Sequence, residues 1–316
     1  MFVWNPGDDD DTLEGQDGID TLLFNGANVA ENIDIFANGG RVLFTRNIAN
    51  VTMDLNDVET IEFNALGGAD NINVGDLSGT DAELVAIDLA ATIGGTAGDG
   101  QVDTVTVNAT NGDDLVLVSS LGSEVVVNGL SAQVTVDHSE AGDKLVINGL
   151  AGSDIFDASG LDAGKISLQL FAGAGEDVAI GSAGNDAIDG GAGDDVLLGG
   201  DGNDTISGGG GDDLIIDGSG NDTFVVSSPL DGHDIISGFD GDAAGGQDTL
   251  NLDALFDGLG VAAVDRTARV SVADNGASVN VSVDADGNAA NGFEFVVATL
   301  NTADAVTVGQ DVIVTN

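Results

Sequence analysis

The chain of 316 residues sets 55 Asp plus Glu against 6 Lys plus Arg, a net charge of −49, and contains 49 glycines and no cysteine. Such a surface repels nucleic-acid phosphates and anionic membranes, with only Arg41, Arg46, Lys144, Lys165, Arg266 and Arg269 to counter it. At 42% apolar residues the chain can still bury a core, so it is not a disordered acidic tail, and neither disulfides nor thiolate metal sites can staple it.

In chain order, MFVWNPGDDDD has neither the basic nor the apolar region of a Sec-type signal peptide. No apolar run approaches the ~18 residues of a membrane helix, so no transmembrane segment is expected. Solenoid-like sequence beginning directly at Met1 suggests a fragment of a longer chain. Residues 1–65 read as an N-terminal β cap with degenerate repeats: PGDDDDTLE and GQDGIDTLL place Asp11 and Asp20 at their sixth positions, and IDIFA, RVLFTR and VTMDL read as capping strands. Residues 66–171 read as a parallel β-solenoid with wider rungs. Short apolar runs (TVTV, LVLV, EVVV, QVTV, KLVI, IFD, ISLQL, VAI) recur about every ten residues, which predicts three strands per rung of ~30 residues. Asp70, Asp103, Asp114 and Asp154 stand before such runs, whereas AGDKLVI puts Lys144 at the corresponding place, and that turn is expected to bind no ion.

From Ala172 to Val225 the sequence divides without a gap into six nonapeptides: AGAGEDVAI, GSAGNDAID, GGAGDDVLL, GGDGNDTIS, GGGGDDLII and DGSGNDTFV. The fourth position is always Gly, the sixth always Asp and the eighth always apolar. Glycine permits tight, left-handed turns. The last three residues of each unit form a very short strand with one inward side chain. Two turn–strand units make a rung of 18 residues, and stacked turns bring carbonyls and carboxylates together into an all-oxygen cage suited to a hard cation such as Ca2+. A metal-free solenoid whose Asp residues only bond their turns is the alternative. Strict recurrence of Asp with no cationic side chain in the tract argues against it.

These units resemble the GGxGxDxUx nonapeptide of the RTX family, calcium-binding β-rolls of bacterial proteins exported by type I secretion. By that resemblance calcium sits between repeats of one column, Asp177, Asp195 and Asp213 serving one and Asp186, Asp204 and Asp222 the other. The accompanying glycines are Gly173, Gly175, Gly184, Gly191, Gly193, Gly200, Gly202, Gly209, Gly211 and Gly220. Six repeats would enclose about four ions, with more at the ends. The outward strand positions of the odd repeats are aliphatic (Val178, Ile180, Val196, Leu198, Leu214, Ile216) and those of the even repeats largely polar. The odd face is therefore expected to be covered, first of all by the chain's own C-terminal segment.

After Val225 the register breaks, and residues 226–316 read as a C-terminal β cap. SSPLDGHDIISGFDG and GQDTLNLDAL retain Asp234 and Asp248 before apolar pairs, and ARVSVA, ASVNVSVD, FEFVVATL and DVIVTN predict antiparallel strands. The family carries its uncleaved export signal in this last region. Catalytic signatures are missing: HExxH, GxSxG and tyrosine are absent, and Asp is too abundant to single out a glycosidase pair. His138 and His233 read as loop residues, and Trp4 as part of the cap, with sugar stacking as its alternative.

The expected molecule is all-β, a parallel β-roll/β-helix solenoid with β-rich terminal caps, and not an enzyme. It is expected to be a secreted or cell-surface bacterial module, ordered by calcium outside the cell and serving a structural or adhesive role. The alternatives are the non-catalytic C-terminal carrier region of a type I secreted enzyme, or a module binding an extracellular polysaccharide.

Overall fold

The computed structural model describes residues 1–241, 247–287, 295–302, 305–308 and 310–313. By internal packing the chain divides into two units, Met1–Leu150 with Phe156–Gln169, and Ala151–Ile155 with Leu170–Asn316. Among the described residues helix is confined to short segments such as Asp253–Gly258 and Ala263–Arg266, and no helix is long and apolar enough to cross a membrane.

In the first unit alternating burial along each strand faces one set of side chains to the core. Phe2–Trp4, Thr21–Asn25, Thr60–Asn64, Leu84–Asp88 and Gln133–Asp137 pair in parallel in one sheet. Asn32–Asn38, Asn71–Val74, Thr104–Asn108 and Lys144–Asn148 do so in the other. The coils are wide because antiparallel meanders interrupt them: Asn32–Asn38, Arg41–Arg46 and Val51–Asn56 form one, and Leu115–Leu121, Glu124–Asn128 and Gln133–Asp137 the other. This corrects the expectation of three strands per rung. The extra strands lie in the planes of the same sheets, and a ten-residue spacing of apolar runs reads alike whether the chain turns onto a third face or doubles back.

The core of this unit, otherwise mostly aliphatic, holds one aromatic cluster. Trp4 stacks on Phe24 with ring centroids 4.0 Å apart, and Phe44 from the other sheet lies 4.4 Å from Phe24 and 5.9 Å from Phe63. Trp4 is 1% exposed, so its ring faces core and not a sugar. In-register stacking also pairs asparagines: Asn148 Nδ2 donates to Asn108 Oδ1 at 2.8 Å, and Asn64 Nδ2 to Asn25 Oδ1 at 2.7 Å. An amide both donates and accepts, so identical amides stack without a partner of another kind.

In the second unit the nonapeptide tract is a two-sheet β-roll. Val178–Ile180, Val196–Asp201, Leu214–Ser219 and Asp234–Ser237 stack in parallel, as do Ala187–Ala192, Thr205–Gly210, Thr223–Val225 and Thr249–Asn251. Val178 pairs with Val196, and Val196 with Leu214, the 18-residue rung expected from the repeat. Ala179, Ile188, Leu197, Ile206, Ile215 and Phe224 are all buried, one per strand.

The odd face is not covered by the C-terminal segment among the described residues. Its aliphatic side chains are partly exposed, Leu214 and Ile216 at 38% each. The C-terminal strands instead extend the same sheet in its plane. Phe295–Asn301 pairs in parallel with Asp234–Ser237, followed by antiparallel Val279–Val283 and Val270–Asp274. An open edge presents a row of backbone N–H and C=O groups to any further strand, and Phe295–Asn301 occupies that row beside Asp234–Ser237. Val312–Ile313 pairs in parallel with Thr249–Asn251, which corrects the antiparallel reading of DVIVTN. The start of FEFVVATL and the last residues, 314–316, lie outside the described residues.

Phe44 is fully buried against aromatic rings from the opposite sheet. Phe44→Ala is expected to lower the stability of the first unit by ~3–5 kcal/mol in denaturant unfolding followed by Trp4 emission, and a loss below about 1 kcal/mol would contradict this packing.

Candidate metal centre

The turns of the roll stack in two columns, and their glycines are there because the backbones touch. A Cβ on Gly193 would overlap the carbonyl oxygen of Gly175, and one on Gly211 that of Gly193. The same holds for Gly191 over Gly173, Gly209 over Gly191, Gly202 over Gly184, Gly218 over Gly200 and Gly220 over Gly202. Each of the ten glycines expected at the site therefore lies at a turn-to-turn contact in its column. Gly193 also sits at φ 135°, in the left-handed region that L side chains avoid.

The sixth-position aspartates form two buried ladders. In one, the N–H of Asp154 donates to Asp177 Oδ1 (2.7 Å), Asp177 to Asp195 (2.8 Å), Asp195 to Asp213 (2.8 Å) and Asp213 to Asp234 (3.2 Å). In the other, Asp186 donates to Asp204 (2.9 Å), Asp204 to Asp222 (2.8 Å) and Asp222 to Asp248 (2.9 Å). One oxygen of each carboxylate thus ties the turns together. The second oxygens of Asp177, Asp195, Asp204 and Asp213 are enclosed and have no hydrogen-bond partner. A Cβ on Gly190 would meet Asp195 Oδ2 together with the Gly208 carbonyl, so that free oxygen lies beside a backbone oxygen of the next turn.

Burial pushes Asp195 and Asp204 up to about 7, and their neighbours Asp213, Asp177 and Asp194, and Asp186, Asp222 and Asp201, push in the same direction. Asp186 rises to about 6 by burial, opposed by hydrogen bonds from Ser182. Orphaned carboxylate oxygens beside convergent carbonyls, with no thiolate or imidazole in the ladders, fit a hard, oxygen-seeking divalent cation.

Several residues extend the site beyond the regular tract. Asp154, Asp234 and Asp248 continue the ladders. Asp217, Asp222 and Asp248 bring carboxylate oxygens within 4.8 Å of one another. Asp217 went unassigned in the sequence although the signal was present, a carboxylate at the first position of its repeat where the others carry Gly or Ala. Upstream, the expectation for Lys144 is corrected: Asp143 holds the ladder place, its Oδ1 accepting from Asp103 N–H at 2.9 Å, and Lys144 is the next residue, paired in the sheet with Thr104. Asp114 accepts from Thr110 N–H and Oγ1 within its own turn, and Asp11 is exposed. His138 Nδ1 lies 2.7 Å from Asp88 Oδ1, and the ring of His233, the residue before ladder Asp234, lies with Nε2 2.8 Å from Thr299 Oγ1.

Two outcomes are expected. Gly193→Ala forces a Cβ into the Gly175 carbonyl at a left-handed φ, and should destabilise the calcium-loaded roll by roughly 1–3 kcal/mol in thermal unfolding. The raised carboxyl values of the metal-free fold set a pH dependence of the following sign. Protons bind more tightly to the folded than to the unfolded chain, so the metal-free roll is most stable in acid and loses that stability as pH rises through about 6 to 7. In chelator, far-UV circular dichroism should show more β signal at pH 5 than at pH 8, and equal signals would contradict the buried ladders.

The RTX calcium-binding nonapeptide repeat model matches in four copies, over residues 7–23, 169–197 and 198–227. No curated protein matches the chain. Among solved structures, the AlgE6R3 subunit of the Azotobacter vinelandii mannuronan C5-epimerase is similar at 34% identity, over 44% of this chain and 77% of that one, with a TM-score of 0.32. The gapless glycine–aspartate units and their two stacked columns of turns are RTX calcium-binding nonapeptide repeats.

Proposed function

We propose that the chain is a structural or adhesive module of a bacterial cell surface or secreted assembly, exported unfolded by a type I system and ordered by calcium outside the cell. The observation that carries this reading is the row of enclosed aspartate oxygens without a donor, at Asp177, Asp195, Asp204 and Asp213. In this reading one ion lies between each consecutive pair in a column: Asp177 and Asp195, Asp195 and Asp213, Asp186 and Asp204, Asp204 and Asp222. Backbone carbonyls of the glycines in the same turns complete the oxygen set. Calcium neutralises the ladder that the chain's own 6 basic residues cannot, so folding and metal binding become one event.

Extracellular modules of this chemistry bind calcium at ~10⁻⁴–10⁻³ M, a range that leaves the metal-poor cell interior with an unfolded, exportable chain. Residues 1–65 and 226–316 act in this proposal as caps, 66–171 as the wide-coil scaffold and 172–225 as the calcium-ordered tract. The last region also carries the export signal. A second reading, retention of an extracellular polysaccharide, is favoured by a groove of about 310 Å³ on the even face, where 43%-exposed Phe171 stands beside Asp189, Thr205 and Ser207. An aromatic face next to hydroxyl and carboxylate groups suits a sugar ring.

Calcium titration followed by circular dichroism, reversed with chelator, is expected to show β signal gained cooperatively. Asp195→Ala with Asp204→Ala should raise the midpoint about tenfold or more, equivalent to ~1.4 kcal/mol. A β signal insensitive to chelator would overturn the calcium reading. Retention on immobilised polysaccharide that is lost in Phe171→Ala would favour the second reading.

A further inference from the structure

Outside the matched repeats, the first unit contains turns built on the plan of the roll. Leu66 at φ 72°, Gly68 at φ 136° and then Asp70 follow one another as Gly191 at 100°, Gly193 at 135° and Asp195 do. The turn before it, 26–31, stacks on it in the same manner. Asn28 bridges Gly67 in parallel, and Glu31 N–H donates to Asp70 Oδ1 at 2.7 Å. A Cβ on Gly26 would meet Glu31 Oε2 and the Ala65 carbonyl, just as one on Gly190 meets Asp195 Oδ2 and the Gly208 carbonyl. The turn after it, 98–103, is joined by Asp70 N–H to Asp103 Oδ1 and by Gly68 N–H to Asp99 Oδ2, both at 2.8 Å.

Two consecutive layers of one column can therefore be compared. In the first, fully buried Glu31 is held by the buried guanidinium of Arg46, whose Nε lies 2.6 Å from Glu31 Oε1. A side-chain cation stands where the roll would need a metal. The second layer gathers Asp70, Asp99 and Asp103. Asp70 and Asp103 are 1% and 3% exposed, and Asp70 Oδ2 is enclosed without a hydrogen-bond partner. The charges acting most strongly on Asp103 are Asp70, Asp143 and Asp99, all negative. Burial pushes Asp70 and Asp103 each up to about 7; at Asp70 the charges of Glu31 and Asp99 add to the rise and Arg46 acts against it. An enclosed carboxylate oxygen that receives no donor needs a cation, and these oxygen donors select a hard one.

We propose that a divalent cation of the calcium class binds between turns 65–70 and 98–103 of the first unit, with the buried Asp70 and Asp103 as its carboxylate ligands. The Arg46–Glu31 layer is its metal-free counterpart, closed by the chain itself. This site shares the calcium chemistry of the roll but is independent of the export and surface reading, and of the roll's own ions.

Bound calcium per full-length chain, measured after equilibrium dialysis, tests it. Asp70→Asn with Asp103→Asn should lower the count by one ion while leaving the chelator-reversible circular dichroism change of the roll in place. An unchanged count overturns the proposal. Should the double variant fail to fold, the parent chain decides through Trp4, because the Arg46 guanidinium lies 5.3 Å over the Trp4 ring and links it to Glu31 and Asp70. Trp4 emission should respond to calcium, and that response should keep its midpoint in Asp195→Asn with Asp204→Asn, which weakens calcium binding by the roll. Emission indifferent to calcium, or a response lost in the roll variant, overturns the proposal.

Discussion

Parallel, in-register stacking sets the same residue type above itself, and every other feature of this chain follows from what that does to a carboxylate. An apolar residue stacked on its like gains contact. An aspartate stacked on its like gains one hydrogen bond, from the backbone N–H of the neighbouring turn, and leaves its second oxygen enclosed among negative charges. The turns are therefore tied together by hydrogen bonds while the charge of their carboxylates is left uncompensated.

The chain meets this constraint in three ways. At strand positions of the first unit it substitutes asparagine, whose amide is its own complement, as in Asn108 over Asn148 and Asn25 over Asn64. At one buried layer it inserts a guanidinium, Arg46 against Glu31. In the nonapeptide tract it does neither, and the aspartates between Asp177 and Asp222 have no cationic side chain in sequence reach. With a net charge of −49 and 6 basic residues, the chain has too few cations of its own to neutralise its columns. A tract ordered by an external cation has its stability set by that cation's concentration.

The roll was legible because its spacing is rigid. Gly at the fourth place, Asp at the sixth and an apolar residue at the eighth fix the turn, the ladder and the core, and the pairing of Val178 with Val196 follows from arithmetic. The first unit was legible only as strands. TVTV and KLVI announce strands but not whether the chain continues around the coil or returns antiparallel, and the meanders through Arg41–Arg46 and Glu124–Asn128 depend on that choice. The shift from Lys144 to Asp143 was missed for a related reason: a ladder position is counted from the sheet register, not from the nearest glycine. Leu66 and Leu150 at φ 72° show the limit of glycine as a guide, since stacking holds leucine where a turn motif would demand glycine.

The sequence by itself determined the period, the hand-off between glycine turns and short strands, the identity of the stacked carboxylates and the chemical class of ion they suit. These are local properties, repeated until chance is excluded. Only the tertiary structure decided which carboxylates from distant segments meet, as Asp217, Asp222 and Asp248 do, and that Arg46 closes one layer while Asp70 is left open. It also decided that, among the described residues, the C-terminal strands extend a sheet and do not cover its aliphatic face. Such pairings join residues tens of positions apart, and their free energy lies in the desolvation and partnering of groups that no local spacing records.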